Sequence, residues 1–207
     1  MTRRKLNDRR ARHDAAYRRA KESGFAARAV YKLEEIDRRF RLLGPGRRVL
    51  DLGCWPGSWM QYAAERVGDE GLIVGIDLKP VELALPSWVH SYVADVEELD
   101  PRPLVEHFGD FDVVLSDMAP QTTGDRISDV YRSESLAHRA LEIARVVLRP
   151  GGHLAVKVFQ GGGFAVLVSD FRTAFQTCKP FQAGATRAGS REQYLIARGL
   201  KGSARQR

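Results

Sequence analysis

Five continuous apolar runs of strand length constrain this chain most: Val49–Leu52, Leu72–Ile76, Val89–Val93, Phe111–Leu115 and His153–Phe159. A run that is apolar without alternation implies a strand covered on both faces, the habit of parallel sheets. Helical patterns over Ser58–Val67, Tyr131–Leu148 and Phe164–Phe175 lie among them, and a last strand fits Gln193–Ala197. Strands alternating with helices predict an α/β fold, a doubly wound and mainly parallel sheet with helices on both faces. Ligands of such sheets bind at the carboxyl ends of the strands. Upstream, the polar and basic residues 1–22 read as a loosely held helix. A second helix carries Val30, Leu33, Ile36, Asp37 and Phe40 at helical spacing and stops at Gly44-Pro45-Gly46. Arg149-Pro150-Gly151-Gly152 ends the helix that begins at Tyr131.

At 207 residues the chain has material for one sizeable core. No repeat, low-complexity segment or second domain is visible. No apolar run approaches the ~18 residues that span a bilayer. No apolar stretch follows the basic N-terminal residues, so a secretory signal is not expected. Cys54 and Cys178 have no metal-like spacing, and a reduced, cytoplasmic protein that binds no metal is expected. The net charge of +7 is unevenly placed. Residues 1–48 hold 16 lysines and arginines against 6 acids, while the other 159 residues hold 17 against 20. Basic ends on a near-neutral body point to a polyanionic partner, most often nucleic acid.

The first strand runs into a turn, VLDLGCWPGSW, in which Gly53 and Gly57 leave room for a ligand and Pro56 stiffens the backbone. This is neither G-x-G-x-x-G nor a Walker loop, so a diphosphate is not favoured. The second strand ends at Asp77, placed to accept from both hydroxyls of a ribose, and the third at Asp95, placed to accept from an adenine amino group. Each acid alone fits a helix N-cap equally well. Three such features on successive strand ends imply an adenosine without a diphosphate, which points to S-adenosylmethionine.

Asp117 and Pro120 follow the fourth strand, and Lys157 interrupts the fifth between Val156 and Val158. A buried lysine is costly unless paired. Its stem could reach the sheet edge, or it could simply pair with Asp117. The functional reading is a general base, favoured by burial and by a second cation and opposed by an aspartate.

With RAVYKLEEI around Lys32, VLDLGCWPGSW, VVLSDMAP around Asp117, VKVFQG around Lys157 and SREQYLIARG around Glu192, the chain resembles the FtsJ/RrmJ-like ribosomal RNA 2′-O-ribose methyltransferases. The resemblance covers about Lys21 to Gly199. It implies a seven-stranded sheet and a catalytic Lys32–Asp117–Lys157–Glu192 tetrad. It also implies a cofactor site at Gly57, Trp59, Asp77, Asp95 and Asp117, and a uridine ribose of large-subunit ribosomal RNA as substrate. In this reading Lys157 is the base, Asp117 orients it, Lys32 positions the hydroxyl and Glu192 fixes the second lysine or the ribose. Residues 1–27 are then a basic extension, 28–199 the methyltransferase domain and 200–207 a basic tail. Arg28, Lys32, Arg187 and Arg191 are expected phosphate contacts, with Arg198 and the N-terminal region beside them. A monomer acting on the large (50S) ribosomal subunit, with no membrane partner, is expected. The motif departs from the family in Cys54-Trp55, in Ser58 and in Gln193 between Glu192 and Tyr194. The rival readings are a small-molecule methyltransferase, a methyltransferase of transfer RNA or an mRNA cap, and a non-catalytic ribosome-assembly protein.

Overall fold

A computed structural model describes residues 15–121, 123–186 and 189–202. In chain order these form α1 (Ala15–Glu22), α2 (Val30–Phe40), β1 (Arg48–Leu52), α3 (Ser58–Val67), β2 (Leu72–Asp77), β3 (Val89–Val93), α4 (Arg102–Phe108) and β4 (Phe111–Ser116). There follow α5 (Arg126–Val147), β5 (Leu148–Phe159), α6 (Phe164–Ala174), β6 (Phe175–Phe181) and β7 (Glu192–Leu200). The seven strands form one sheet in the order β3-β2-β1-β4-β5-β7-β6. All pairings from β3 to β5 are parallel, and β7 runs antiparallel to both β5 and β6. The order reverses between β1 and β4, and a crevice opens at such a switch point beyond the strand ends.

The doubly wound sheet is as expected. Leu50, Leu52, Val114, Leu154 and Val156 pack on one face with Ala137, Leu141, Ala144 and Phe171 from α5 and α6. Val49, Val113, Leu115 and Ala155 pack on the other with Leu33 and Ile36 of α2 and Trp59, Met60 and Ala63 of α3. No helix among the described residues is long and apolar enough to cross a membrane.

Several elements differ from the sequence reading: α5 begins at Arg126 rather than Tyr131, and β5 at Leu148 rather than His153. α4 was not expected, and the residue pattern did not locate β6, the seventh strand that the resemblance implies. FQTCKPF exposes four of its seven residues, lies at the sheet edge and contains Pro180, so it lacks the continuous apolar run that marks its neighbours. RPLVEHF has no buried residue, so no apolar face announces it. α2 ends before Gly44: Arg41 takes a left-handed conformation, and the buried Asp37 carboxylate accepts Leu43 N–H at 2.8 Å. Tyr62 Oη and Arg66 Nε donate to its other oxygen, which is how an acid comes to sit at an apolar position.

His153 lies where β5 meets β7, and its Nδ1 accepts Gly199 N–H at 3.2 Å. Burial, with Arg47 and Arg198 nearby, pushes the imidazole down from 6.5 to about 4. The unfolded chain therefore takes up a proton near pH 6.5 that the folded chain refuses until about pH 4, and stability falls as pH drops through that window. In calorimetric scans His153→Gln should lose less Tm between pH 7 and pH 4 than the parent does. Parallel curves would refute that assignment.

Candidate active site

β1 ends in a turn whose shape two glycines permit. Gly53 has φ +78°, and a Cβ there would lie 2.6 Å from Met118 Cγ. Gly57 has φ +106° and caps α3, and a Cβ there would strike Leu83 at 2.6 Å. Gly53 N–H donates to Ile76 O at 2.8 Å, tying the turn to the end of β2. The unusual Cys54-Trp55 pair divides. Cys54 points inward, where Gly75 of β2 leaves the room: a Cβ on Gly75 would meet the sulfur at 2.8 Å. Burial pushes its thiol well up, so it stays neutral and packs as an apolar group. Trp55 points outward, half exposed, with Lys79 Nζ 4.4 Å from its ring centre.

Beside the turn lies a cavity of about 700 Å³, of the size that holds a cofactor. Gly53, Trp55, Asp77 and Leu78 line one side and Asp95, Val96 and Glu97 the far end. Asp117 to Gln121, Tyr131, Arg132, Ser135 and Leu136 line the other side. Asp77 accepts Trp55 N–H at 2.9 Å on one oxygen and Lys79 N–H at 3.0 Å on the other. Asp95 accepts Glu97 N–H at 2.9 Å. Each carboxylate keeps lone pairs for a ligand. Of the residues expected around a cofactor, Gly53, Asp77, Asp95 and Asp117 thus line one cavity. Gly57 and Trp59 are not among its lining residues. The Trp59 ring is buried and donates to Ala29 O at 2.9 Å, fixing the segment that leads into α2. Asp51 of β1 is fully buried with no partner for either oxygen among the described residues, and burial followed by the charges of Asp117 and Asp77 holds it well above the carboxylate range. The sequence reading passed over it, although an acid inside an apolar strand is a visible signal.

Next to the cavity, four residues distant in sequence converge. Lys157 Nζ lies 3.1 Å from Asp117 Oδ1 and also donates to the Asp117 carbonyl. Lys32 Nζ lies 2.6 Å from Glu192 Oε1. All four side chains are at least four-fifths buried. The expected tetrad is therefore brought together as two ion pairs. Tyr194, which the sequence reading did not single out, joins them. Paired with Lys157 across the β5–β7 ladder, it is fully buried and donates to Asp117 Oδ1 at 2.6 Å, with Lys32 Nζ 5.9 Å from its ring centre. Burial and then Asp117 push its hydroxyl far above 10, so it serves as a neutral donor. Glu35 secures the segment before Glu192 by accepting Gly184 N–H at 2.6 Å and Ala185 N–H at 3.0 Å.

Of the expected phosphate contacts, Arg191 and Arg198 are exposed and Arg28 is half-buried; Arg187 and the N-terminal residues before Ala15 lie outside the described residues.

The chain is similar to known proteins along most of its length. The model of the FtsJ-like methyltransferase family matches residues 25–200. The chain is 50% identical over 192 residues to a ribosomal RNA large subunit methyltransferase E from Syntrophobacter fumaroxidans, covering 92% of this chain and 97% of the relative. A protein of the same name from Desulfosudis oleivorans is 46% identical and covers 86% of each chain. Among solved structures, a protein described as a ribosomal RNA methyltransferase from Plasmodium falciparum superposes with a TM-score of 0.77 at 28% identity, covering 86% of this chain and 100% of its own.

Proposed function

Because the chain belongs to the FtsJ-like methyltransferase family, we propose that it methylates large-subunit ribosomal RNA, at the ribose 2′-hydroxyl of a uridine, with S-adenosylmethionine as donor. The observation that carries the chemistry is Lys157, buried against Asp117, itself a lining residue of a cavity large enough for a cofactor. Asp77 and Asp95 fit the ribose and adenine of the donor. Gly53 and Met118, which line the same cavity, would lie beside its methionine part. When bound, the donor supplies a methyl group already activated by its sulfonium charge.

A ribose hydroxyl must lose its proton as its oxygen attacks in line with the methyl–sulfur bond, so a base beside that hydroxyl is the main requirement. Lys157 meets it in its neutral form. Neutral Nζ has two N–H donors and one lone pair. Asp117 offers both donors an acceptor, its carboxylate and its carbonyl, which leaves the lone pair for the substrate hydroxyl. Tyr194 fixes the same Asp117 oxygen and so holds the base in register. Lys32, held by Glu192, positions the ribose. The exposed Arg191 and the basic N-terminal residues provide the phosphate contacts, while Arg198 pairs with His153 at the opposite end of β5. Reduced and cytoplasmic, the protein acts as a monomer on RNA within the large subunit.

The test is direct. The protein is incubated with labelled S-adenosylmethionine and 50S particles, free ribosomal RNA or transfer RNA, and the 2′-O-methyl group is mapped. Label on a uridine ribose of large-subunit RNA is expected. Label on transfer RNA alone would reassign the substrate, and label on none would overturn the reading.

A further inference from the structure

We propose that Tyr131 is the residue on which the target nucleobase stacks, with Ile127 extending the same apolar surface; this rests on the RNA-methylation reading above. A base attached to a ribose held over Lys157 and Asp117 must lie against the elements that surround those two residues. Two connecting stretches follow their strands: residues 117–121 and 123–125 after β4, and residues 160–163 after β5. The first two turns of α5 sit against both. Val130 packs on Gly161, so closely that a Cβ there would meet Val130 Cγ1 at 2.2 Å, and Arg132 Nη1 donates to Gln121 O at 3.3 Å. Tyr131 lies between those two contacts and lines the cavity mouth.

Its ring is nonetheless 73% exposed, and Ile127, one turn earlier on the same side of the helix, is 82% exposed. The start of α5 is tied down by its own side chains. Asp125 caps α5 by accepting Ser128 N–H at 3.1 Å, and Asp129 accepts Thr123 N–H at 2.8 Å. An aromatic ring fixed on a capped helix but left in solvent is suited to receive an unstacked base, because a base offers a π-face whatever its sequence.

The other exposed aromatics among the described residues are less well placed. Trp55, 49% exposed, has Lys79 against its ring and is held by its N–H to Asp77, on the ribose side of the cofactor cavity. Tyr92 belongs to the edge strand β3 and packs on Phe108. Tyr131 alone of the three stands on the Asp117 side.

Steady-state methylation of the RNA substrate by Tyr131→Ala, Tyr131→Phe and Tyr131→Trp tests the proposal, with S-adenosylmethionine affinity measured separately by calorimetry. Tyr131→Ala should raise KM for RNA about tenfold or more. Phe and Trp should restore KM to within about threefold, and in all three cofactor affinity should change far less than KM for RNA does in Tyr131→Ala. A parental KM for RNA in Tyr131→Ala overturns the proposal while leaving the methyltransferase reading intact. A weakened cofactor with parental KM for RNA overturns it too, by making Tyr131 a wall of the cofactor site. If the parent protein transfers no methyl group to any RNA, the underlying reading fails and this proposal falls with it.

Discussion

Lys157→Arg is expected to lower kcat for methyl transfer by about 10²- to 10⁴-fold, the usual worth of a general base, while the protein stays folded. The choice of arginine matters. Lys157 is buried against Asp117, and removing one partner of a buried pair typically costs about 3–5 kcal/mol because the other charge is left uncompensated. Lys157→Ala would therefore lose activity through instability as readily as through chemistry. Arginine keeps the positive charge beside Asp117 but cannot give up its proton, so it cannot act as a base. Lys157→Met, with nearly the same length and no charge, is the companion variant. Asp117 there retains the Tyr194 O–H, and near-ultraviolet dichroism reports whether the site remains packed. Cofactor affinity should stay near the parental value in any variant that folds. A folded Lys157→Arg protein with kcat within tenfold of the parent would place the base elsewhere.

Much of this site was legible because parallel sheets concentrate their chemistry at strand ends. Asp77 closes β2 and Asp117 follows β4, and locating the apolar runs locates both. Lys157 was legible for the opposite reason: a charge inside a buried run has no cheap structural explanation. Lys32 and Glu192 have no such signal. Each sits in a segment with many exposed charges, and only the fold shows that α2 and the start of β7 meet to form a pair. Tyr194 was hidden by its type, since a tyrosine in an apolar run reads as core, and its hydroxyl becomes informative only once Asp117 is seen beside it. The edge strand β6 was missed because edge strands need not be apolar on both faces. Cys54-Trp55 turned from an anomaly into two separate arrangements. Cys54 is matched by the missing side chain of Gly75, and Trp55 by Asp77 and Lys79.

Asp77→Ala is expected to weaken S-adenosylmethionine binding by about 100-fold or more, measured by calorimetry without RNA. An ionised carboxylate has about four lone-pair sites. The backbone N–H groups of Trp55 and Lys79 take one on each oxygen, which orients the group and leaves one on each for a ribose diol. Hydrogen bonds to a charged group contribute about 1.5–3 kcal/mol each, so losing two exceeds the 2.7 kcal/mol or so that corresponds to 100-fold. Alanine also frees Trp55 N–H, so part of the loss would come from a looser turn. Asp77→Asn separates the two effects. Its amide fills the same space, but one of its ends must turn an N–H toward a backbone N–H that is itself a donor. It should therefore bind more weakly than the parent even with the shape preserved. Asp95→Ala should cost less, since a neutral adenine amino group gives it one hydrogen bond where the ribose diol gives Asp77 two, and Asp95 anchors only Glu97 N–H. Asp77→Ala binding within threefold of the parent, or an Asp95→Ala loss larger than that of Asp77→Ala, would reverse the assignment of ribose and adenine between the two strand ends.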